Sequence, residues 1–480
     1  GSLYKFMGPD ESEMDELEAE YKKKLDRDVL VAGATALALA APLADEEDEE
    51  GEKGESKTKN KTSQASTEKD LSSLLKLNMK FQFLKVFLGV GLYWPAIFIL
   101  TKYPYLAQID EEIPILINRL FATMIDPLYN KIRIFSDEEI SNLQKPKGIT
   151  FSRPHNTVFV EHSPVAHLFS FNPLMRGYGN RKYTYFYREF STDLPKIQDI
   201  DSLIAASNEL LKFNGPNLAK DTDIFIKTCE VTRYLLSQEE DKSKVFFYFK
   251  NFIFPAMPLI EENSIAIDKA FEILLFFPTE DRFSLYGELY NILAKNNPLI
   301  KIAYSKAEKS TKDVLKRLSK ENVRPMMRRL AKICFSNPLP CLLTILQQIE
   351  SYDNLNTLVV ETARYFNAYG WDNLTAAILI RLASSRSSTY NGMSERQWVQ
   401  SLASFIGKIC QRYPHAIDIK TILAFILKSF YSGDTIGLLV LKEMFISMGG
   451  IQHITNLTIN QIDMINCGSS LQKIVYNTID

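Results

Sequence analysis

The sequence predicts an all-α fold in which helical pairs stack as an α-solenoid. In the carboxy-terminal third, apolar residues recur at the three- and four-residue spacings that place them on one face of a helix. Short polar turns separate the successive segments, and prolines or glycines mark their ends. Helices that bury such a face against their sequence neighbours form stacked arrays. We therefore expect HEAT-like helical pairs, although no strict sequence repeat marks their period.

The composition limits the classes of function. A chain of 480 residues with 46% hydrophobic residues is long enough for two or three units or for one extended array. Its 56 Lys and Arg against 58 Asp and Glu exclude a general polyanion binder, so any contact with nucleic acid must be local. The five cysteines show no closely spaced pairs. We predict buried free thiols in a reducing compartment, the cytosol or the nucleus.

The amino-terminal part divides by composition. Residues 1–44 are predicted to form amino-terminal helices. Residues 45–70 begin with an unbroken acidic block and contain no hydrophobic residue larger than alanine. Such a segment buries too little apolar surface to offset its ordering entropy. We expect a disordered acidic and polar insertion there.

Two apolar runs, residues 29–44 and 81–100, have the hydropathy of membrane spans. The first has only sixteen residues, whereas a bilayer needs about 20. The second contains Lys85 and Pro95, and a lysine near the bilayer centre costs about 2.5 kcal/mol or more. Both runs are predicted to be buried helices, and no membrane partner is expected.

Residues 71–300 are predicted to form a helical scaffold region. Helical periodicity runs to residue 129, and Pro127 is one of several prolines expected to mark a helix end or start. An irregular, aromatic-rich segment near residues 149–192 interrupts the pattern and favours short strands or an ordered loop. Helical periodicity returns by residue 200.

Residues 301–480 are predicted to form a helical-repeat middle domain. Asn337 is expected to cap a helix with Pro338 at its first position. Ser394 is expected to cap a second helix, which Tyr413 and Pro414 stop. A third helix ends before Gly433, and a fourth begins near residue 434.

A row of cations is the main candidate binding site. Its members recur every four residues, which would align them on one face of helical structure: Lys312, Lys316, Lys320, Arg324, Arg328 and Lys332. Asp313 and Glu321 each lie four residues from Arg317 and form with it a neighbouring row that alternates in sign. The row of cations itself contains no acid. The row is either a solvated face or a docking surface for an acidic protein or for nucleic-acid phosphate.

A polar turn at Tyr352, Asp353 and Asn354 joins two amphipathic segments. Asp353 or Asn354 could cap the following helix, or the turn could be part of an edge that a partner domain touches. Turns along one side of a solenoid are common partner sites because the helices fix their positions. These three residues are therefore the second candidate for partner binding.

Catalytic motifs are absent from the sequence. There is no phosphate-binding GxxxxGK or dinucleotide-binding GxGxxG, and no HExxH or GxSxG. His155, His162 and His167 lie near one another, but spacings of seven and five residues do not place them on one helical face. We expect no catalytic residue, metal, cofactor or small-molecule substrate, and hence no enzyme.

The basic row lies inside sequence that resembles a known family. The strings RLSKENVRP (317–325), RRLAKICFSNP (328–338) and ILQQIESYDNL (345–355) resemble the middle region of the large scaffold subunit, subunit 2, of the THO complex. WVQSLASF (398–405) and DRFSLYGEL (281–289) are similar to further family segments. The likeness extends to two more segments, residues 441–443 with the glycines that follow and residues 103–129, which are also similar to segments of the family.

The resemblance implies a fold and partners. The carboxy-terminal third would be similar to the middle domain of translation initiation factor 4G, a helical fold that docks DEAD-box helicases. Other THO subunits and the DEAD-box RNA helicase of the TREX assembly would be partners, in a nuclear role that couples transcription elongation to mRNP assembly and mRNA export. Family members are several times longer and end in a charged tail, so the chain is expected to be a fragment of such a subunit.

Two alternatives remain open. The basic row could make the chain an RNA- or DNA-binding helical module, whose affinity would fall steeply with salt. The chain could also be a general solenoid adaptor in cytoplasmic transport, without a helicase partner.

Overall fold

The architecture comes from a computed structural model of the chain. The structure describes residues 11–38, 71, 73–133, 138–139, 148–152, 155, 157–161, 194–238, 242–261, 263–318, 322–351, 355–383, 392–433, 436–450, 469, 473 and 477. The predicted insertion at residues 45–70 lies outside them.

Helices dominate the described residues. The elements up to residue 300 begin with α1 (Glu11–Ala38), α2 (Met79–Val90), α3 (Tyr93–Lys102), α4 (Leu106–Ile109), α5 (Glu112–Ile132), β1 (Gly148–Ser152) and β2 (Thr157–Glu161). They continue with α6 (Ile200–Ala206), α7 (Thr222–Gln238), α8 (Lys242–Tyr248), α9 (Ser264–Leu274) and α10 (Thr279–Glu288). A π-helical turn extends each of α6, α8 and α10. Two 3₁₀ turns, Gly215–Lys220 and Phe254–Leu259, follow the first two of these extensions.

The remaining helices follow one another with short connections. They are α11 (Pro298–Lys316), α12 (Val323–Ser336), α13 (Pro338–Ser351), α14 (Leu355–Thr362), α15 (Ala368–Ala383), α16 (Gly392–Arg412), α17 (Ile419–Tyr431) and α18 (Ile436–Gly449). The all-α solenoid prediction is confirmed, with one hairpin as the exception among the described elements. None of the described helices is long and apolar enough to cross a membrane.

The helices form two compact units. The first unit comprises Gly1–Ile345 and Thr362–Ala377, and the second comprises Leu346–Glu361 and Ile378–Asp480. Buried aliphatic and aromatic side chains form the core of each unit. The four cysteines among the described residues are buried free thiols, as predicted.

The hairpin lies in the irregular aromatic-rich segment. Strands β1 and β2 pair antiparallel, with Gly148 opposite Glu161 and Ser152 opposite Thr157. The prediction of short strands near residues 149–192 is confirmed at this hairpin. Residues 162–193 lie outside the described part.

The second apolar run forms two helices instead of one. Helix α2 ends at Gly91, whose φ of 88° is the left-handed conformation that glycine adopts most readily, and α3 begins two residues later. Leu84 and Leu88 are fully buried, but Val86 is 54% exposed and Trp94 is 56% exposed. The prediction of buried helices was therefore wrong for one face of each helix, because an amphipathic pair buries only the face that packs on its neighbours.

The prediction was also wrong for the described start of the first apolar run, on α1. Leu30 is 68% exposed there and Val31 is 53% exposed.

Pro127 lies inside α5 and does not end it. A proline in a helix removes one backbone hydrogen bond and pushes against the carbonyl one turn earlier, at about 3 kcal/mol. Two carbonyls in this stretch accept donors from outside the helix: Met124 from the Ile197 N–H at 3.1 Å, and Ala122 from the Lys227 Nζ at 2.8 Å. These tertiary contacts hold α5 on both sides of Thr123, the residue whose carbonyl Pro127 leaves without an intrahelical donor, where the sequence pattern predicted a boundary.

The carboxy-terminal helices begin and end close to the predicted places. Helix α13 begins at Pro338, and α16 ends at Arg412, just before Tyr413. Helix α16 begins at Gly392, so Ser394 is not its cap. Asn337 does not cap α13 either, because its Nδ2 donates to the Pro258 carbonyl at 2.9 Å and its Oδ1 has no partner. Of the two N–H groups that such a cap would satisfy, the one at the third position is missing because that residue is Pro340.

Close packing of α16 and α18 in the second unit depends on a glycine. A Cβ built at Gly407 would lie 2.7 Å from the Glu443 carbonyl oxygen and 2.8 Å from the Ser447 Oγ. Since the first of these atoms is backbone, the helices must separate to admit a methyl group.

We expect Gly407→Ala to destabilise the second unit by about 1–3 kcal/mol, the usual cost of overpacking, despite the better helix propensity of alanine. Hydrogen exchange at the amides of α16 and α18 measures this loss. Gly89→Ala is the matched control, since a Cβ there meets nothing within 4 Å. Equal protection in the two variants would contradict the packing argument.

Candidate interaction site

The predicted basic row falls on two helices. Lys312 and Lys316 lie in the last turns of α11, whereas Arg324, Arg328 and Lys332 lie on α12. Lys320 falls between the helices, outside the described residues. The four-residue spacing therefore does not form one continuous helical face, because the chain leaves the helix after Lys316.

The positions of the two helices follow from local sequence. Asn297 caps α11, its Oδ1 accepting the N–H groups of Leu299 and Ile300, and Pro298 takes the first position. After α11 ends, the Asn322 Nδ2 donates to the Arg317 carbonyl at 2.7 Å. This bond ties the start of α12 to the end of α11.

Helix α12 is strongly amphipathic. Its buried side chains are Met327, Leu330, Ala331 and Cys334. The opposite side is exposed and cationic, with Arg324, Arg328, Arg329 and Lys332. Arg329 was missed by the four-residue rule, although it directly follows Arg328 in the sequence.

Three arginines of this face are exposed and are not neutralised by acids of the described part of the chain. Arg324, Arg328 and Arg329 are exposed and form no ion pair with an acid in the described part of the chain. Lys332 already has an interaction partner within the chain. Exposed guanidinium groups of this kind can bind carboxylates or phosphates in a bidentate manner.

The lysine row is not free of acids, contrary to the sequence prediction. Glu308 lies four residues before Lys312, one helical turn away. Burial raises the pKa of Glu308, and the Lys312 ammonium opposes that rise. Lys312 is therefore partly neutralised, whereas Lys316 is exposed at the carboxy end of α11 and favourably placed for the helix dipole.

Arg324 is placed against the helix dipole. It is the second residue of α12, and no acidic residue lies in that first turn. A cation at the positive end of a helix costs about 0.3–1 kcal/mol. An anion bound beside Arg324 would offset this cost, because it would attract both the guanidinium group and the positive end of the helix dipole.

The polar turn at Tyr352, Asp353 and Asn354 lies outside the described residues, as do His162 and His167. Among the residues that the structure does describe, no group of three or more His, Cys, Asp or Glu side chains could hold a metal ion. The candidate site is thus a surface of α11 and α12.

The DRFSLYGEL string has a structural role. Arg282 of α10 donates from Nε and Nη2 to the two carboxylate oxygens of Asp372 in α15, at 3.0 Å each. The Tyr286 hydroxyl donates to the same carboxylate at 2.6 Å. Burial and the Asp372 charge raise the pKa of Tyr286, so the hydroxyl keeps the proton that it donates. These residues hold two helices of the first unit together.

Two family models match the chain. The model described as the THO complex subunit 2 N-terminus matches residues 1–328, which carry α1 to α11 and the start of α12. The model described as a transcription- and export-related complex subunit matches residues 330–403. The two matches meet within α12, so both include part of the candidate site.

Proteins named THO complex subunit 2 are similar over most of the chain. The one from Saccharomyces cerevisiae is 29% identical over 388 residues, which are 79% of this chain and 24% of that protein. The human one is 26% identical over 412 residues, covering 82% of this chain and 23% of that protein. The chain thus spans about a quarter of the length of these relatives. With more than half of its residues matched by the first model, the chain belongs to the THO complex subunit 2 family.

Proposed function

We propose that the chain is part of a non-catalytic scaffold that organises other THO subunits and docks a DEAD-box RNA helicase in the nucleus. In this role it couples transcription elongation to mRNP assembly and mRNA export. Membership of the family supports a place for the chain in the THO complex. The exposed cationic face of α12 is the observation that carries the docking proposal.

A scaffold of this kind acts through differential binding. A helicase of this class has two lobes that move relative to each other, and a surface that binds one arrangement better shifts the population toward it. Rigid helices suit this task because α11 and α12 present Lys316, Arg324 and Arg328 at fixed positions. Acidic groups on a helicase lobe would provide the complementary charge.

The direct test is to mix the chain with the purified DEAD-box helicase of TREX and to measure binding and ATPase rate at two salt concentrations. Binding that weakens with salt, together with a changed ATPase rate, supports docking through the cationic surface. Absence of binding by the folded chain would contradict the docking role and leave a subunit-joining segment.

Charge reversal tests which residues dock. Lys316, Arg324 and Arg328 changed together to glutamate are expected to leave folding intact, because all three are exposed, and to weaken helicase binding about tenfold at low salt, which corresponds to about 1.4 kcal/mol. Isothermal titration calorimetry measures the affinity. The matched control reverses three exposed lysines outside α11 and α12, Lys76, Lys131 and Lys295, with the same change in net charge. Equal losses in the two triple variants would contradict a local surface.

RNA binding is the second candidate function. It is favoured by the guanidinium groups of Arg324, Arg328 and Arg329, which share the exposed side of α12. The affinity of a single-stranded RNA bound there should fall as salt rises. The logarithm of the binding constant should decrease with the logarithm of the salt concentration, with a slope of about 0.7 per phosphate neutralised. A salt-independent interaction, or none, would leave the helicase as the partner of this face.

A further inference from the structure

A groove in the first unit lies beside α12, separate from its arginine face. It has a volume of about 440 Å³ and is bounded by α11, the end of α12 and the 3₁₀ turn Phe254–Leu259. This volume is within the range of about 300–1,000 Å³ that is typical of ligand sites. None of the residues assigned to helicase or RNA docking above lines it.

The floor of the groove is apolar and incompletely covered. Leu259, Leu299, Ile302 and Ile333 line it, and each of these side chains is half-buried. Ala303 lies among the residues of α11 that line the groove, and its small side chain leaves space in the groove. An apolar side chain that enters the groove would bury the exposed parts of these residues, at about 25 cal/mol for each Å² removed from water.

The rim of the groove has a positive balance of charge. Lys220 and Lys306 line it and are exposed, and Glu261 is the acid among the lining residues. Arg329 lies one helical turn before Ile333, so it extends the positive region along α12. The rim therefore favours a ligand with acidic groups next to its apolar part.

A buried asparagine belongs to the wall of the groove. Asn337 lines the groove and is 8% exposed. Its Nδ2 donates to the Pro258 carbonyl at 2.9 Å, which fixes the orientation of the amide because a carbonyl only accepts. The Oδ1 is itself buried, so Asn337 shapes the groove by tying the end of α12 to the 3₁₀ turn and does not offer a ligand its acceptor.

We propose that this groove binds an extended peptide segment of another protein, with one bulky apolar side chain on the floor and acidic residues against Lys220 and Lys306. A peptide combines the two features that the floor and the rim require, an apolar anchor and negative charge. A phosphate backbone offers the charge without the anchor. The site thus gives this THO subunit a second interaction surface, which does not depend on helicase docking.

The test is selection from a displayed random peptide library against the complete chain. We expect the selected peptides to share one large apolar residue flanked by aspartate or glutamate. Their affinity, measured by fluorescence anisotropy, should fall at least tenfold for Ala303→Trp, which fills the groove, and several-fold for Lys306→Glu. Circular dichroism confirms that both variants are folded.

Lys301→Glu is the matched control, because Lys301 is exposed on the same helix and does not line the groove. It should leave affinity within twofold of the unmodified chain. Peptides that bind Ala303→Trp and the unmodified chain equally, or that show no acidic enrichment, would overturn the proposal. Displacement of the selected peptides by a single-stranded RNA oligonucleotide, together with RNA binding that is lost in Ala303→Trp, would assign the groove to nucleic acid and would overturn the proposal as well.

Discussion

Replacing Asp372 with alanine is expected to destabilise the first unit by about 3–5 kcal/mol, the cost of leaving a buried charge without its partner. The Arg282 and Asp372 side chains are only 12% and 11% exposed, so water cannot replace the lost carboxylate. The Tyr286 hydroxyl loses its acceptor in the same variant. Hydrogen exchange at the amides of α10 and α15 would measure the loss directly.

Asp201→Ala is the matched control for this experiment. Asp201 pairs with Lys244, but their side chains are 70% and 44% exposed, and exposed pairs contribute about 0–1 kcal/mol. A combined Arg282→Met and Asp372→Leu variant should recover part of the stability, because it removes both buried charges. If Asp372→Ala cost no more than Asp201→Ala, the proposed role of the carboxylate would be wrong.

Local signals predicted the carboxy-terminal helix boundaries well. Pro338 fixes φ at a value suited to a helix start, and the Tyr413–Pro414 pair stops α16, so neither boundary needs information from distant residues. The apolar stripes were also predictable, since Leu342, Leu346 and Ile349 of α13 are all buried.

Long-range contacts account for the parts that could not be predicted. Arg282 and Asp372 are separated by ninety residues, and no spacing rule connects them. Pro127 was predicted to mark a helix end or start, because the outside donors to α5, Lys227 and the Ile197 N–H, come from other parts of the chain. Tertiary contacts override local propensity at both places.

The candidate site was predictable in part. The sequence singled out Lys316, Arg324 and Arg328, and the structure places each of them exposed on a helix, whereas their role in binding stays a prediction. It missed Glu308, although the same four-residue rule that defined the row places this acid beside Lys312. The groove could not be found from sequence, since its walls come from separate segments that only the fold brings together.

Replacing Lys227 with alanine should destabilise the first unit by about 3–5 kcal/mol. Lys227 is 1% exposed on α7, where its ammonium pairs with Asp126, donates to the Ala122 carbonyl and lies 5.0 Å from the centre of the Tyr129 ring. Alanine would leave a cavity, and it would remove the donor that supports α5 next to Pro127. Urea unfolding followed by circular dichroism measures the change.

Lys227→Met separates volume from charge, because methionine fills much of the space without the ammonium group. Asp126 is 25% exposed, so water can partly hydrate its carboxylate once the charge partner is gone. We therefore expect Lys227→Met to cost less than Lys227→Ala, and the difference reports the cavity. Lys244→Ala, at an exposed ion pair, should stay within about 1 kcal/mol of the unmodified chain. If Lys227→Ala also stayed within that range, the ammonium group would not be what stabilises α5 around its internal proline.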